Sequence, residues 1–334
     1  MNPPITIILP TLNERHHIRD CLDSLLVQDY ENVVEILVVD GGSTDGTRDI
    51  VEAEGGVVRL LDNPRMTAAA AMNIGIGACT TDLYVRVDAH TLYASDYVSR
   101  SVATSIETEA SVVGGPMRPE GTNPFGRAVA AVTSSPLGIG PGKFHYGTEL
   151  QQVETVYLGI FHRDEVIAVG GYDETNLQWA AEDQELNYRI RKAGGRVMLD
   201  PRIRSTYFPR SSPQALARQY HNYGMCKAST LRKHRTLPYW RPVVPAGMVL
   251  AVVLWVVLSF VLDLPFLAPL PVVAYGLAAV ALGFRFARQQ GVTWHRAAVV
   301  LSICHWTYGL GLCRGVGRIL MRRPFDSRPK GGRR

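Results

Sequence analysis

Cysteine is scarce and unpatterned in this chain: five of 334 residues are Cys, and no two form a Cys-x-x-Cys pair. Cys21, Cys79, Cys226, Cys304 and Cys313 are odd in number and scattered. They read as reduced thiols, buried or within a membrane, in a protein whose soluble part is cytoplasmic. No signal peptide is expected, because Met1 to Pro4 leads straight into a β-branched run. Charged residues make up only 19% of the chain. The net charge is +5, yet no DNA- or RNA-binding signature accompanies the basic residues, which argues against nucleic acid as a partner. The stretch Gly41 to Gly46 has neither Gly-x-Gly-x-x-Gly spacing nor a Gly-Lys-Ser/Thr ending, so neither a dinucleotide fold nor a P-loop is supported. A basic, Gly-rich phosphate cradle is also missing near the N-terminus, which disfavours a nucleotidyltransferase.

What is present is 46% hydrophobic and unevenly spread: ordinary globular sequence first, then long apolar runs from Pro242 onward. Ile5 to Pro10 has the pattern of a strand buried on both faces. Ile18, Cys21, Leu22, Leu25 and Leu26 recur at helical spacing, predicting a helix over 17–27, with Asn13 in the preceding turn as its cap. A strand over 35–40, a helix over 47–54, a strand over 57–61, an Ala-rich helix over 67–79 and a strand from Leu83 to Asp88 follow. This alternation predicts a parallel sheet with helices on both faces, which binds ligands beyond the carboxyl ends of its strands. Thr11, Asp40 and Asp88 sit at such ends, although Asp40 also reads as a helix cap. Further strands are expected over 112–116, broken by its glycines, and over 155–161. Between them, 134–146 reads as a mobile loop able to close over a ligand.

Two motifs carry chemistry. Residues two apart on extended backbone face the same side, so Asp88 and His90 can face one point. A carboxylate and a neutral imidazole suit a divalent ion, Mn²⁺ or Mg²⁺ if diphosphate oxygens complete the shell. The plainer alternative is a turn-forming Asp beside a solvated His. The second motif is Glu182-Asp183, at the start of a helix whose face is marked by Leu186 and Ile190. The helix dipole there favours ionised carboxylates. They read as helix caps or, beside a metal-type pair, as the place of a general base. Glu185 and Arg189 form an i, i+4 pair of structural character.

Residues 215–235 predict a basic helix interleaved with aromatics, which suits a membrane–water interface. Gln219, Tyr223 and Lys227 are its candidates for an acceptor diphosphate, and the remaining cations read largely as a solvated face. Three apolar runs follow: 243–262, which carries no charge, 264–284 and the shorter 297–313. About 20 residues span a bilayer. The flanking arginines place the soluble domain and the tail, including Arg333 and Arg334, on the cytoplasmic side. Two crossings are therefore expected, with the third run re-entrant or lying in the interface. The implied domains are 1–210, an interfacial segment 211–241, a membrane domain 242–320 and a basic tail 321–334.

Ile8 to Glu14, Val38 to Thr47, Ala71 to Gly75, Asp88-Ala89-His90 and Glu182-Asp183 together resemble family 2 inverting glycosyltransferases of the GT-A fold. Arg86 to His90, Glu182 to Arg189 and the tail look most like the succinoglycan-biosynthesis glucosyltransferases, which extend a polyprenyl-diphosphate-linked sugar. The resemblance implies a Rossmann-like, mostly parallel α/β domain followed by interfacial and transmembrane helices. It implies that Pro10, Thr11 and Glu14 line a nucleotide pocket and that Asp40 holds the uracil or ribose on a loop supported by Asp45. Asn63, Asn73 and Arg65 would lie near base and ribose, Asp88 and His90 would hold Mn²⁺ or Mg²⁺, and Asp183, with Glu182 beside it, would be the general base. Two departures stand out. The common Asp-x-Asp is Asp88-Ala89-His90 here, and the processive Gln-x-x-Arg-Trp appears only as Gln219 to Tyr223, which favours addition of a single sugar. The implied activity is transfer from a nucleoside diphosphate sugar, a UDP-hexose by resemblance, to a lipid-linked acceptor at the inner membrane. Direct transfer to a polyprenyl phosphate and a non-catalytic nucleotide-sugar-binding scaffold are the rivals.

Overall fold

The strand β1 (Ile5–Thr11) runs through the middle of the first sheet and is covered on both sides, as its largely apolar pattern requires. Ile5, Ile7 and Leu9 point to one face; Ile8 points to the other. Burial of each such side chain contributes about 1.5–3 kcal/mol. The computed structural model describes residues 2–140, 142–177, 181–236 and 240–323; Arg333 and Arg334 of the basic tail lie outside them. The chain divides into two compact units, Met1–Arg118 with Lys143–Tyr207, and Pro119–Gly142 with Phe208–Phe325.

In the first unit β1 is followed by α1 (Ile18–Leu26), β2 (Val33–Asp40), α2 (Thr47–Glu54), β3 (Val58–Asp62), α3 (Ala68–Ala78) and β4 (Leu83–Arg86). Helix α1 buries Ile18, Cys21, Leu22 and Leu25 on the face of Ile5, Ile7 and Leu9. Helix α3 buries Ala69, Met72 and Ile76 on the face of Ile8, and Thr67 caps it by accepting from the Ala70 N–H. Then come β5 (Thr91–Tyr93), α4 (Tyr97–Thr108), β6 (Val112–Gly115) and β7 (Arg118–Pro119), where the chain leaves the unit. Helices α5 (Pro124–Thr133) and α6 (Pro136–Ile139) belong to the second unit. The first unit resumes with β8 (Gln151–Gln152), β9 (Tyr157–His162), α7 (Arg163–Ala168), α8 (Glu182–Lys192), β10 (Val197–Leu199) and β11 (Ser205–Tyr207). The main sheet has the order β3-β2-β1-β4-β9-β6-β10-β8. Strands β1 to β4 are mutually parallel, and β9 lies antiparallel between β4 and β6.

The expected strand to Asp88 stops earlier. Arg86 is the last paired residue of β4, opposite Ile8 on one side and Gly159 on the other. At Gly159 the β9 backbone turns to φ +126°, and a Cβ there would lie 2.2 Å from the Val113 carbonyl. The ladder ends at this distorted position, and Ala89-His90 form a turn into β5. Asp88 and His90 therefore share a turn, not one side of an extended strand.

The second unit holds α9 (Pro213–His234), α10 (Val243–Val261), α11 (Leu270–Gln290) and α12 (Trp294–Leu320). Residues 119–142, expected in the first domain, group here because Ala128, Val129 and Val132 of α5 pack with Leu216, Phe286, Val300 and Leu301. The expected interfacial and membrane segments likewise form one unit. Gly224 of α9 and Gly311 of α12 meet so closely that a Cβ on either would lie 2.2 Å from a carbonyl of the other helix, Tyr308 or His221. The third apolar run is one uninterrupted helix of 27 residues, α12, which excludes the re-entrant form, since re-entry must break the helix. Helices Val243–Val261 and Pro265–Gln290 are long and apolar enough to cross a membrane, with only 17% and 11% of their most apolar stretch buried. The expected mobile loop is partly ordered too. Ser135 caps α6 through the Leu137 N–H, and His305 Nε2 donates to the Gly138 carbonyl at 3.0 Å. A carbonyl can only accept, so His305 carries its proton on Nε2, leaving Nδ1 to accept from the Tyr275 hydroxyl at 3.1 Å.

The α9–α12 contact generates a stability prediction. Gly311→Ala forces a methyl group onto the His221 carbonyl and is expected to cost about 1–3 kcal/mol. Gly247→Ala on α10, whose Cβ would meet nothing within 4 Å, is expected to cost nothing. Thermal unfolding of the detergent-solubilised chain compares the two; equal melting temperatures would refute the close packing.

Candidate functional site

Thr11 of β1 and Asp40 of β2 lie in register at neighbouring strand ends. The loops beyond them are tied to each other. The Asn13 N–H donates to Ser43 Oγ at 2.7 Å, and Asn13 Oδ1 accepts from the Thr44 N–H at 2.9 Å. The Glu14 N–H donates to Thr47 Oγ1 at 2.9 Å, and the Arg15 N–H to Asp45 Oδ2 at 3.1 Å. Asn13 is thus a tie between loops, not the helix cap expected, and its φ of 55° is a left-handed conformation that Asn tolerates. Asp45 also accepts from the N–H and hydroxyl of Thr47, which anchors the start of α2. Partial burial disfavours its charge, but the bonds from Thr47 and Arg15 outweigh this and hold its carboxyl below the usual range.

Asp40 corrects one expectation. Its Oδ2 accepts from the N–H groups of Gly42 and Ser43, both at 2.9 Å, and from Arg48 at 3.1 Å; its Oδ1 accepts from the Ser43 hydroxyl. With 0% of the side chain exposed, it offers no surface to a base or ribose. It holds the loop instead, because a buried carboxylate must be paired on all sides. Arg48 bridges it to Asp62 at 2.8 Å, and the Asn63 N–H donates to the Asp40 carbonyl at 2.8 Å. Asn63 itself is buried and donates from Nδ2 to the Thr67 carbonyl. Asn73 likewise spends its amide on the protein: Nδ2 donates to the Tyr172 carbonyl and Glu174, and Oδ1 accepts from the Tyr172 N–H. Arg65 pairs with the same Glu174. Asn73 and Arg65 therefore fasten the segment that precedes α8. Arg189 fastens it from the other side, paired with Glu185 as expected and donating to the carbonyls of Val169 and Gly171.

The turn after β4 gathers the acidic groups. The Tyr93 hydroxyl clamps the Asp88 backbone, accepting from its N–H at 2.7 Å, and among the described residues the hydrogen bonds of Asp88 run through its backbone. Its carboxylate is half-buried and open to a ligand. His90 Nδ1 lies 3.5 Å from Glu14 Oε1, and the Tyr207 ring stands edge-on to the imidazole at 5.6 Å. Burial pushes the Cys21 thiol up, and the negative charges of Asp88 and Glu14 push it further. Burial also pushes Tyr157 well up, with Asp88 adding to it.

Asp183 is the second residue of α8 and half-buried, with its Oδ1 accepting from the Gln184 N–H. Glu182, expected to share the catalytic position, is turned inward: it is 7% exposed and its Oε1 lies 2.7 Å from Arg86 Nη2. Burial works to lower the Arg86 pKa, but Glu182, then Tyr172, Asp88 and Asp183, outweigh it and hold the guanidinium firmly charged. Asp88 and Asp183 thus stand within electrostatic reach of one cation. Arg86 carried no expected role, though a cation inside the apolar run Leu83 to Val87 was the signal, since a charge in a buried strand needs a partner. Tyr93 and Tyr207 had no such signal, because their partners are distant in sequence.

In the second unit, Gln219, Tyr223 and Lys227 step four residues apart along one face of α9. Gln219 Nε2 donates to the Tyr223 hydroxyl at 3.0 Å, and Lys227 is buried at 7% exposure, so this face is largely internal.

Among the described residues no group of three or more His, Cys, Asp and Glu side chains is placed to hold a metal ion. Asp88 and His90, two residues apart around one turn, supply a carboxylate and an imidazole, donor types that suit a hard divalent cation whose remaining positions come from substrate phosphate oxygens.

The family model for glycosyl transferase family 2 matches residues 6–164. The chain is 32% identical to the succinoglycan biosynthesis protein ExoA of Rhizobium meliloti over 321 residues, 92% of this chain and 93% of that protein. It is 29% identical over 241 residues, 69% of this chain and 74% of the relative, to a dolichyl N-acetyl-alpha-D-glucosaminyl phosphate 3-beta-D-2,3-diacetamido-2,3-dideoxy-beta-D-glucuronosyltransferase of Methanococcus voltae. The mannosyltransferase PcManGT of Pyrobaculum calidifontis, solved with GDP-Man and Mn²⁺, shares its fold at a TM-score of 0.58 and 21% identity, over 94% of this chain and 88% of that one. The mostly parallel sheet, the strand-end loops and the sequence likeness converge: this chain is a GT-A-fold member of glycosyl transferase family 2.

Proposed function

We propose that this glycosyltransferase moves one sugar from a nucleoside diphosphate sugar to a lipid-linked saccharide at a membrane, with inversion at the anomeric carbon. The observation that carries the reading is the buried Arg86–Glu182 ion pair at 2.7 Å, which ties the end of β4, two residues before Asp88, to the first residue of α8, immediately before Asp183. The lipid-linked acceptor is supported by the dolichyl phosphate-linked sugar in the name of one relative and by a succinoglycan-biosynthesis relative matched along nearly its whole length. The apolar, uncovered faces of α10 and α11 supply the membrane contact, and the flanking arginines favour a cytoplasmic catalytic unit at the inner membrane.

In this reading Pro10, Thr11 and Glu14 line the nucleotide pocket, and Asp40, with Asp45, shapes its loop. Asn63, Asn73 and Arg65 support its far wall. Asp88 and His90 would hold Mn²⁺ or Mg²⁺ against the donor diphosphate, where such an ion supplies neutralisation of charge on the leaving group. Asp183 accepts the proton of the acceptor hydroxyl as its oxygen attacks from the face opposite the departing nucleoside diphosphate. One bond forms as one breaks, so the anomeric centre inverts. Gln219, Tyr223 and Lys227 are the residues proposed for the acceptor diphosphate.

Three outcomes test this. In Asp183→Asn, binding of UDP with Mn²⁺ is expected within about threefold of wild type, while labelled sugar transfer into the lipid extract falls at least about a hundredfold. Substantial residual turnover would reject Asp183 as the base. Asp88→Ala is expected to abolish the Mn²⁺ dependence of UDP binding, followed by titration calorimetry; an unchanged dependence would remove Asp88 from the metal site. A label on the C-terminus is expected to be accessible in inside-out vesicles and protected in right-side-out ones. The reverse pattern would overturn the two-crossing topology.

A further inference from the structure

Arg86 and Glu182 are 96 residues apart in sequence yet form an ion pair of 2.7 Å, with side chains only 6% and 9% exposed. Each is adjacent to a proposed functional carboxylate. Arg86 stands two residues before Asp88 and Glu182 immediately before Asp183. Arg86 is also the last paired residue of β4, and Glu182 the first residue of α8. The guanidinium lies 5.5 Å from the centre of the Tyr172 ring, and its Nε and Nη1 are buried without a hydrogen-bond partner among the described residues.

A buried ion pair stabilises a fold poorly, because desolvating two charges consumes most of what their attraction returns; well-packed apolar residues serve as well or better. What such a pair supplies is one geometry, since the loss of either partner leaves a bare charge in the interior. We propose that the Arg86–Glu182 pair is a positioning strut that sets the distance between the metal-side carboxylate Asp88 and the base Asp183. Glu182 is then not a catalytic residue but the one that aims its neighbour. The strut joins the end of the strand that delivers Asp88 to the start of the helix that delivers Asp183, so a shift in either is passed to the other. This inference rests on the proposed roles of Asp88 and Asp183.

The test is a double-mutant cycle on the full-length protein in detergent, using Glu182→Leu, Arg86→Met and the double variant Arg86→Met/Glu182→Leu, with Glu182→Gln as the conservative single variant. Three quantities are read for each: kcat and donor KM for the nucleotide sugar the wild type uses, affinity for UDP with Mn²⁺, and melting temperature. Glu182→Gln is expected to lower kcat roughly ten- to a hundredfold, the scale of a misplaced reacting group, with UDP affinity within threefold. The double variant is expected to regain the melting temperature lost by the single ones but not kcat. Recovery of kcat together with stability would overturn the proposal, reducing the pair to core filling. So would a rise in KM with kcat unchanged. If the wild type transfers no sugar, the proposed function fails on its own, and the melting temperatures still judge the strut: single losses that add in the double variant would refute the pair.

Discussion

A sheet buried on both faces has room for polar side chains only at its ends, and this constraint organises the catalytic unit. Strand β1 is apolar along both sides but for Thr6, which is hydrogen-bonded to Thr81; it is covered by α1 and by α3, and its neighbours β2 and β4 are buried toward their carboxyl ends. Every group that can bind or react with a polar ligand is therefore pushed beyond a strand's carboxyl end. Thr11, Asp40 and Asp88 follow from that, as does the density of hydrogen bonds in the loops. Backbone groups that leave the ladder must find partners, and here Ser43, Asn13, Asp45 and Thr47 supply them.

The same rule separates residues that hold from residues that are free to act. Asp40, Asn73 and Glu185 have spent their polar atoms on the protein. Among the described residues Asp88 bonds through its backbone, and its half-buried carboxylate is the group proposed to meet a ligand. The charge pattern at this end of the sheet is one buried guanidinium among several carboxylates, a balance that leaves room for a cation arriving with a substrate. In the second unit close backbone contacts play the corresponding part, with glycines on α9 and α12 letting two helices approach without intervening side chains.

Much of this was legible in the sequence, and the failures have physical causes. The first four strands and three helices lie where periodicity placed them, because long apolar patterns with Thr67-type caps leave little choice. The end of β4 was misplaced because apolar character continues through Val87 while pairing stops at the distorted Gly159, a feature of a strand over seventy residues away. The direct role expected of Asp40 failed because a motif records which residue is present and not which way it points. Arg86 was overlooked for the complementary reason: its partner Glu182 lies in another motif, and only the fold brings them together. The run 134–142 read as loose because Gly, Pro and Ser mark turns, but Ser and Pro also start helices, as they do at α6.

In the proposed function, Asp88 and His90 hold the donor's cation with Asp183 facing the same donor. Anomalous scattering from crystals of the protein with UDP and Mn²⁺ addresses it directly. One manganese peak is expected at the Asp88 carboxylate and the His90 imidazole beside the diphosphate, with the Asp183 carboxylate open toward the sugar position. A peak away from both residues, or an Asp183 carboxylate turned from the diphosphate, would contradict it.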